Sequence, residues 1–212
     1  GIDGNGQSEL AYALTGLAPS ASGHIYLKDK DITKNSIRER TLAGMAHIPE
    51  DRHKDGLVLD YTLEENLVLQ SYYSDRFQKN GFLKFAEIRK YAKELIEKFD
   101  IRSSKGETST ARSMSGGNQQ KVIIARWLAN NPDVLIMDEP TRGIDVGAKY
   151  EIYQIMINLA KQGKGIIMIS SEMPELIGMS DRIIVMCNGE ITGEVSKDDA
   201  TQESIMALAT KF

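Results

Sequence analysis

Three short apolar runs constrain this chain more than any other feature: VLIM within PDVLIMDEP, IIMI within KGIIMISS and IIVM within DRIIVMC. Each run is unbroken by polar residues and bounded by polar residues or proline. A strand with one face in water alternates apolar with polar residues, so an unbroken run predicts a strand covered on both faces. Helical patterns fall between these runs, and that alternation specifies an α/β domain with a mainly parallel sheet.

The remaining segments fit around this frame. SELAYALTG has helical periodicity and stops at Gly16, GHIYLKDKDI reads as a β-hairpin with a polar turn, and MAHI reads as a short strand ending at Pro49. GEITGEV, after the turn at Asn188-Gly189, reads as an antiparallel edge strand. Between about Leu63 and Ala125 the strand pattern vanishes. LEENLVLQ, KFAEIRKYAKELIEKF and GNQQKVIIARWLAN are helical, with RSSKGETSTARS as a loop before the last. The expectation is a single domain over residues 1–212, an α/β core at 1–62 and 126–212 with a helical subdomain inserted at 63–125. The sheet is mixed and twisted, with an antiparallel part.

Composition excludes several classes of partner. A net charge of −4 and a pI near 5.5 provide no global basic field for nucleic acid or an anionic membrane surface. The cluster Arg52, His53, Lys54 reads as a solvated loop. No apolar run approaches the ~18 residues of a membrane span, and the N-terminus lacks the charged-then-apolar pattern of a signal peptide. The one cysteine, Cys187, falls within a buried strand, so disulfides play no part. His24, His47 and His53 stand at no metal-ligand spacing. These features suit a cytosolic protein.

The chain opens GIDGNGQS. The spacing Gly1-x-x-Gly4-x-Gly6-Gln7-Ser8 is that of a phosphate-binding loop, in which glycines let successive main-chain N–H groups converge on phosphate oxygens. The following helix adds the positive end of its dipole. Ser8 supplies a hydroxyl for Mg²⁺. Gln7 stands where such a loop carries lysine, and exchanging a charge-assisted contact for a neutral one costs about 1–2 kcal/mol. A phosphate loop follows a strand, and none precedes this one, so the first strand of the sheet is expected to be missing. Alone, the loop also reads as a glycine-rich turn.

Two further motifs weigh against a chance turn. Asp138 and Glu139 end the run PDVLIMDEP, where an acidic pair suits water-mediated Mg²⁺ binding by Asp138 and activation of an attacking water by Glu139. The plainer alternative is a capping turn at a strand end. In SMSGGNQQKVIIARWL, Ser115 is a candidate N-cap, and Gly116-Gly117 at the helix start make a bare N–H nest for a second phosphate contact.

The order of phosphate loop, MSGGNQQ, IMDEP and GID (Gly143 to Asp145) closely resembles the ATPase domain of ATP-binding-cassette (ABC) transporters, with MSGGNQQ as signature motif, IMDEP as Walker B and GID as D-loop. HIPEDR, SGGNQQK, DEPTRGIDVGAK and ISSEMPEL resemble the second, C-terminal cassette of the tandem ATPase subunits of bacterial sugar and nucleoside importers. The first part is most similar to the nucleoside branch, and DEPTRGIDVGAKYEIYQ onward to the galactoside and ribose branch.

The resemblance implies that ATP and Mg²⁺ are the cofactors and that two cassettes pack head to tail. The partner is then the N-terminal cassette of the same subunit, with each ATP between the loop of one and the signature of the other. It implies nucleotide contacts from Gly1, Asp3, Gly4, Asn5, Gly6, Gln7, Ser8 and Glu9, and from Ser115, Gly116, Gly117, Asn118, Gln119 and Asp145. Metal contacts fall to Ser8 and Asp138. Glu139 is the catalytic carboxylate; Glu50 stands where the family has a nucleotide-sensing glutamine, and Ser171 where it has a switch histidine. The helical lobe and the Glu50 region would meet membrane permease subunits, on the cytoplasmic face of the cell membrane. With Gln7 and Ser171 in place, the expected function is a cassette whose own site turns over slowly and whose signature completes the partner's. Two rivals are a non-hydrolysing regulatory cassette and a soluble ABC ATPase of repair or translation.

Overall fold

The computed structural model describes residues 4–20 and 22–211. In chain order these form α1 (Gln7–Thr15), a hairpin β1 (Tyr26–Leu27) and β2 (Lys30–Asp31), α2 (Ile37–Leu42) and β3 (Met45–Ile48). Next come α3 (Leu63–Val68), a second hairpin β4 (Gln78–Lys79) and β5 (Phe82–Leu83), α4 (Phe85–Lys98) and α5 (Gly116–Leu128). The last third holds β6 (Val134–Asp138), α6 (Val146–Lys161), β7 (Gly165–Ile169), α7 (Met173–Met179), β8 (Arg182–Cys187), β9 (Glu190–Ser196) and α8 (Gln202–Ala209). The chain divides into two compact units, one of residues 1–47, 134–140 and 165–212, the other of 48–133 and 141–164.

The first unit carries a three-stranded sheet in the order β3-β6-β7, with β6 and β7 parallel from Val134↔Gly165 to Asp138↔Ile169. Ala11, Leu27, Ile32, Met45 and Ile136 form one buried cluster, which joins α1, the first hairpin and the sheet. α1 ends at Gly16 in the left-handed region, and the buried Arg40 finishes it: its Nη1 donates to the carbonyls of Ala13 and Leu14, each at 2.6 Å. A cation on the orphan carbonyls of a last turn satisfies them and opposes the helix dipole. A second cluster, from Leu176 through Val185 and Val195 to Ile205, packs α7 and α8 on the antiparallel β8–β9 ladder.

Only β6 is covered on both faces as its apolar run predicts. Ile167 of β7 is 43% exposed and Ile184 of β8 is 48% exposed. β7 stands at the end of its strand order, and among the described residues β8 pairs with β9 alone, burying Ile183, Val185, Met186 and Cys187 while Ile184 faces outward. β8 is therefore antiparallel, not a member of the parallel sheet.

In the second unit, α3 begins with a capping box between Thr62 and Glu65. The buried Asn66 staples the preceding loop by accepting from Val58 N–H and donating to the carbonyls of Val58, Tyr61 and Thr62. α4 turns Ile88, Tyr91, Ala92 and Leu95 inward at helical spacing. The stretch read as purely helical also holds the β4–β5 hairpin, closed by Asn80 and Gly81 at positive φ. Its strands are two residues long, too short to show a period of two in the sequence.

Candidate functional site

The first unit brings the glycine loop, the acidic pair and Ser171 into one body. Gly1 and Asp3 lie outside the described residues. Gly4 and Gly6 adopt φ of 82° and 99°, a region glycine enters without strain, and Gly6 stands at the N-cap of α1 with no side-chain cap. Ser8 and Glu9 fall in the first turn of that helix. Asn5 N–H donates to Gln7 Oε1 at 2.9 Å, so the residue in the lysine position folds back on its own loop.

β6 delivers the acidic pair. Asp138 is buried at the end of the strand, and the following N–H of Glu139 donates to the Ile169 carbonyl at 2.9 Å, extending the β6–β7 ladder by one bond. Glu139 itself has φ of 45°, a left-handed conformation that is uncommon away from glycine and concentrates at functional sites. Its carboxylate accepts from Ser171 N–H at 2.7 Å. Just before it, the buried Ser170 hydroxyl donates to the buried Glu175 carboxylate at 2.5 Å and accepts from Glu172 N–H at 3.0 Å.

The second unit holds the other motifs. Ser115 occupies the N-cap of α5 as expected, but its hydroxyl makes no bond to the helix N–H groups. It accepts instead from Asn118 Nδ2 at 3.0 Å, while Asn118 Oδ1 takes the Arg102 N–H at 2.7 Å. Gly117 lets α5 close on α6: a Cβ on it would lie 2.5 Å from that of Ala148. Asp145 caps α6, accepting from Ala148 N–H at 3.0 Å. Gln119 is buried, with Nε2 on the Ala111 carbonyl and Oε1 on His53 Nε2, both at 2.9 Å. The amide read as a nucleotide contact is thus committed inside its own unit. Glu50 pairs with Arg142 in an ion pair at the surface.

The turn after Glu50 exposes His53, Lys54 and Asp55, as a solvated loop should, and is also a joint. Residues Arg52–Gly56 form a single π-helical turn capped by Asp51, whose carboxyl is held below the usual range by the N–H groups of Lys54 and His53. Arg52 Nη1 donates to the Arg142 carbonyl at 2.8 Å and His53 meets Gln119. Gly56 lies where a Cβ would come within 2.6 Å of Ile123, and its carbonyl accepts from the buried Arg126 at 2.6 Å. Gln119, Ile123 and Arg126 share one face of α5, so the turn is fastened along that face from the signature end. A charge at the register of an apolar face was the available signal for Arg126.

Hard oxygens from Ser8 and Asp138 suit a small divalent cation, and the glycine loop suits phosphate. A family model described as ABC transporter matches residues 1–142. The chain belongs to the ABC transporter family.

Among curated relatives, the nucleoside import ATP-binding protein NupA of Lactococcus lactis subsp. cremoris is 49% identical over 208 residues, covering 98% of this chain and 41% of the relative. The ribose import ATP-binding protein RbsA of Bacillus licheniformis is 45% identical, covering 99% of this chain and 42% of the relative. The galactose/methyl galactoside import ATP-binding protein MglA of Clostridium tetani is 46% identical, covering 100% and 42%. The chain thus spans about two fifths of the length of these relatives. Two solved ABC cassettes share the fold. A nucleotide-free cassette superposes with a TM-score of 0.78 at 22% identity, covering 97% of this chain and 84% of that one. A dimeric post-hydrolysis cassette bound to ADP and Pi gives 0.73 at 24%, covering 90% and 80%. At these identities the likeness speaks for the ABC fold alone.

Proposed function

We propose that this ABC cassette is the second, C-terminal cassette of a tandem importer subunit. It binds ATP with Mg²⁺ and energises uptake of a simple sugar or nucleoside through a membrane permease. The observation that carries the reading is Glu139: an acid in a left-handed conformation beside the buried Asp138, its carboxylate held by Ser171 N–H, in the same compact unit as the glycine loop. The names of the relatives support the importer class, and their length, more than twice that of this chain, suits a tandem arrangement.

Residues do distinct work in this reading. The loop glycines and α1 hold the phosphates, Asp138 and Ser8 hold Mg²⁺, and Glu139 takes the proton of the attacking water. The bound ion neutralises charge that develops on the phosphates. Without lysine at position 7 or histidine at 171, less charge stabilises phosphoryl transfer, so this site turns over slowly. Ser115, Gly116 and Gly117 complete the site on the N-terminal cassette. The helical lobe and the Glu50 region meet the permease. The subunit would lie peripherally on the cytoplasmic face; no helix of the described residues is long and apolar enough to cross a membrane.

The test is the ATP hydrolysis rate of the full-length subunit with its permease, wild type against Glu139→Gln. A fall to about half or below is expected if this site fires. An unchanged rate would leave the signature residues as the working part.

A further inference from the structure

Residue 7 changes more than the charge of the loop. A lysine ammonium only donates hydrogen bonds, whereas a glutamine amide donates from nitrogen and accepts at oxygen. In this chain the acceptor end is in use: Gln7 Oε1 takes the Asn5 N–H at 2.9 Å. Asn5 is fixed from its other side as well. Its Oδ1 accepts from Asn188 N–H at 2.8 Å and its carbonyl from Gly189 N–H at 3.0 Å. Gly6 completes the clamp, since a Cβ there would stand 2.9 Å from Gly189 Cα. The β8–β9 turn and Gln7 therefore hold the loop from two directions, and a donor of the kind that phosphate oxygens seek already has an oxygen on it.

We propose that Gln7 is an internal occupant of the phosphate loop: its amide oxygen holds the Asn5 N–H, and a phosphate oxygen of a nucleoside triphosphate takes that donor only by displacing it. The proposal rests on the nucleotide-cassette reading for the identity of the anion. It separates two effects that a degenerate loop otherwise merges, a missing positive charge and a competing acceptor. Lysine at position 7 would remove both. Alanine removes the acceptor, together with the amide N–H donors, and adds no charge.

The experiment uses the full-length subunit as wild type, Gln7→Ala and Gln7→Lys. Each is photolabelled with Mg²⁺ and 8-azido-ATP over a concentration series, with labelled peptides mapped so that this cassette is read separately from its partner. Amide hydrogen exchange of a peptide spanning residues 4–8 is followed without nucleotide. The expected result is half-maximal labelling of Gln7→Ala at a concentration about threefold below wild type, the scale of one neutral hydrogen bond. Gln7→Lys labels at lower concentration still, and the loop peptide of Gln7→Ala exchanges faster than that of wild type. Labelling of Gln7→Ala equal to or weaker than wild type, or unchanged loop exchange, overturns the proposal. If exchange rises as expected but even Gln7→Lys takes no label, the contact stands and the nucleotide reading falls.

Discussion

The Glu139 carboxylate is held by the main-chain N–H of Ser171, not by its side chain, at 2.7 Å. Position 171 thus contributes a group every residue except proline possesses. Ser170 and Glu175, both buried, fix the direction of that N–H by tying down the residues on either side of it.

Ser171→Ala is accordingly expected to change ATP turnover of the full-length subunit with its permease by less than about twofold, because the held carboxylate stays where it is. Ser170→Ala takes one hydrogen bond from the buried Glu175 carboxylate and should cost about 1–3 kcal/mol of stability in urea unfolding. A collapse of turnover in Ser171→Ala would assign the work to the hydroxyl.

The two signature glycines differ in what surrounds them. Gly117→Ala would place a methyl 2.5 Å from Ala148 Cβ, on a neighbouring helix that must shift to admit it, and should cost about 1–3 kcal/mol. Gly116→Ala meets the end of the Arg52 side chain at 3.1 Å, which can swing aside. Alanine also favours a helix over glycine by up to about 1 kcal/mol, so Gly116→Ala should be near neutral. Urea unfolding of both variants separates packing from any effect on ATP turnover. Equal losses would place the Arg52 end as firmly as Ala148.

The elements legible in the sequence were those that carry their own local signal. Gly16 stops α1, the continuous VLIM run gives β6, and Asn188-Gly189 turns β8 into β9. The chemistry-bearing motifs were legible because each is short and ordered along the chain. What binds them into place was not. Arg40 on the end of α1, the Asn5 clamp on Asn188 and Gly189, and the Arg126 bond to Gly56 join residues 26, 183 and 70 positions apart, and no local period encodes such a partner. The exposure of Ile167 and Ile184 escaped for the converse reason: an apolar run reports that a strand is tolerable inside, not that both its faces are covered.

The ion pair of Glu50 with Arg142 joins the segment before the Arg52–Gly56 turn to the loop ahead of Asp145. Its side chains are 34% and 55% exposed, so solvent screens the attraction. A double-mutant cycle with Glu50→Gln and Arg142→Gln in the full-length subunit should give a coupling of about 0.2–1 kcal/mol that declines with added salt. Coupling above about 2 kcal/mol, insensitive to salt, would mean that a partner buries the pair in the assembled subunit.

Arg126 sets the pH dependence of the joint between α5 and the Arg52–Gly56 turn. Burial alone lowers its pKa from the usual guanidinium range to about 10, and its Nε has no hydrogen-bond partner among the described residues. The unfolded chain keeps this proton to higher pH than the folded chain, so above about pH 10 the unfolded state binds more protons and stability rises with pH. At neutral pH the charge is fully present, and its desolvation works against the bond that Nη2 makes to the Gly56 carbonyl. Arg126→Met removes the titrating group and keeps most of the apolar stem. The difference in unfolding free energy, wild type minus Arg126→Met, should therefore move in favour of wild type between about pH 8 and about pH 10.5, read by urea unfolding at each pH. The lysines and tyrosines common to both proteins cancel in that difference. A flat difference across the range would mean that solvent reaches the guanidinium and that burial does not hold its pKa down.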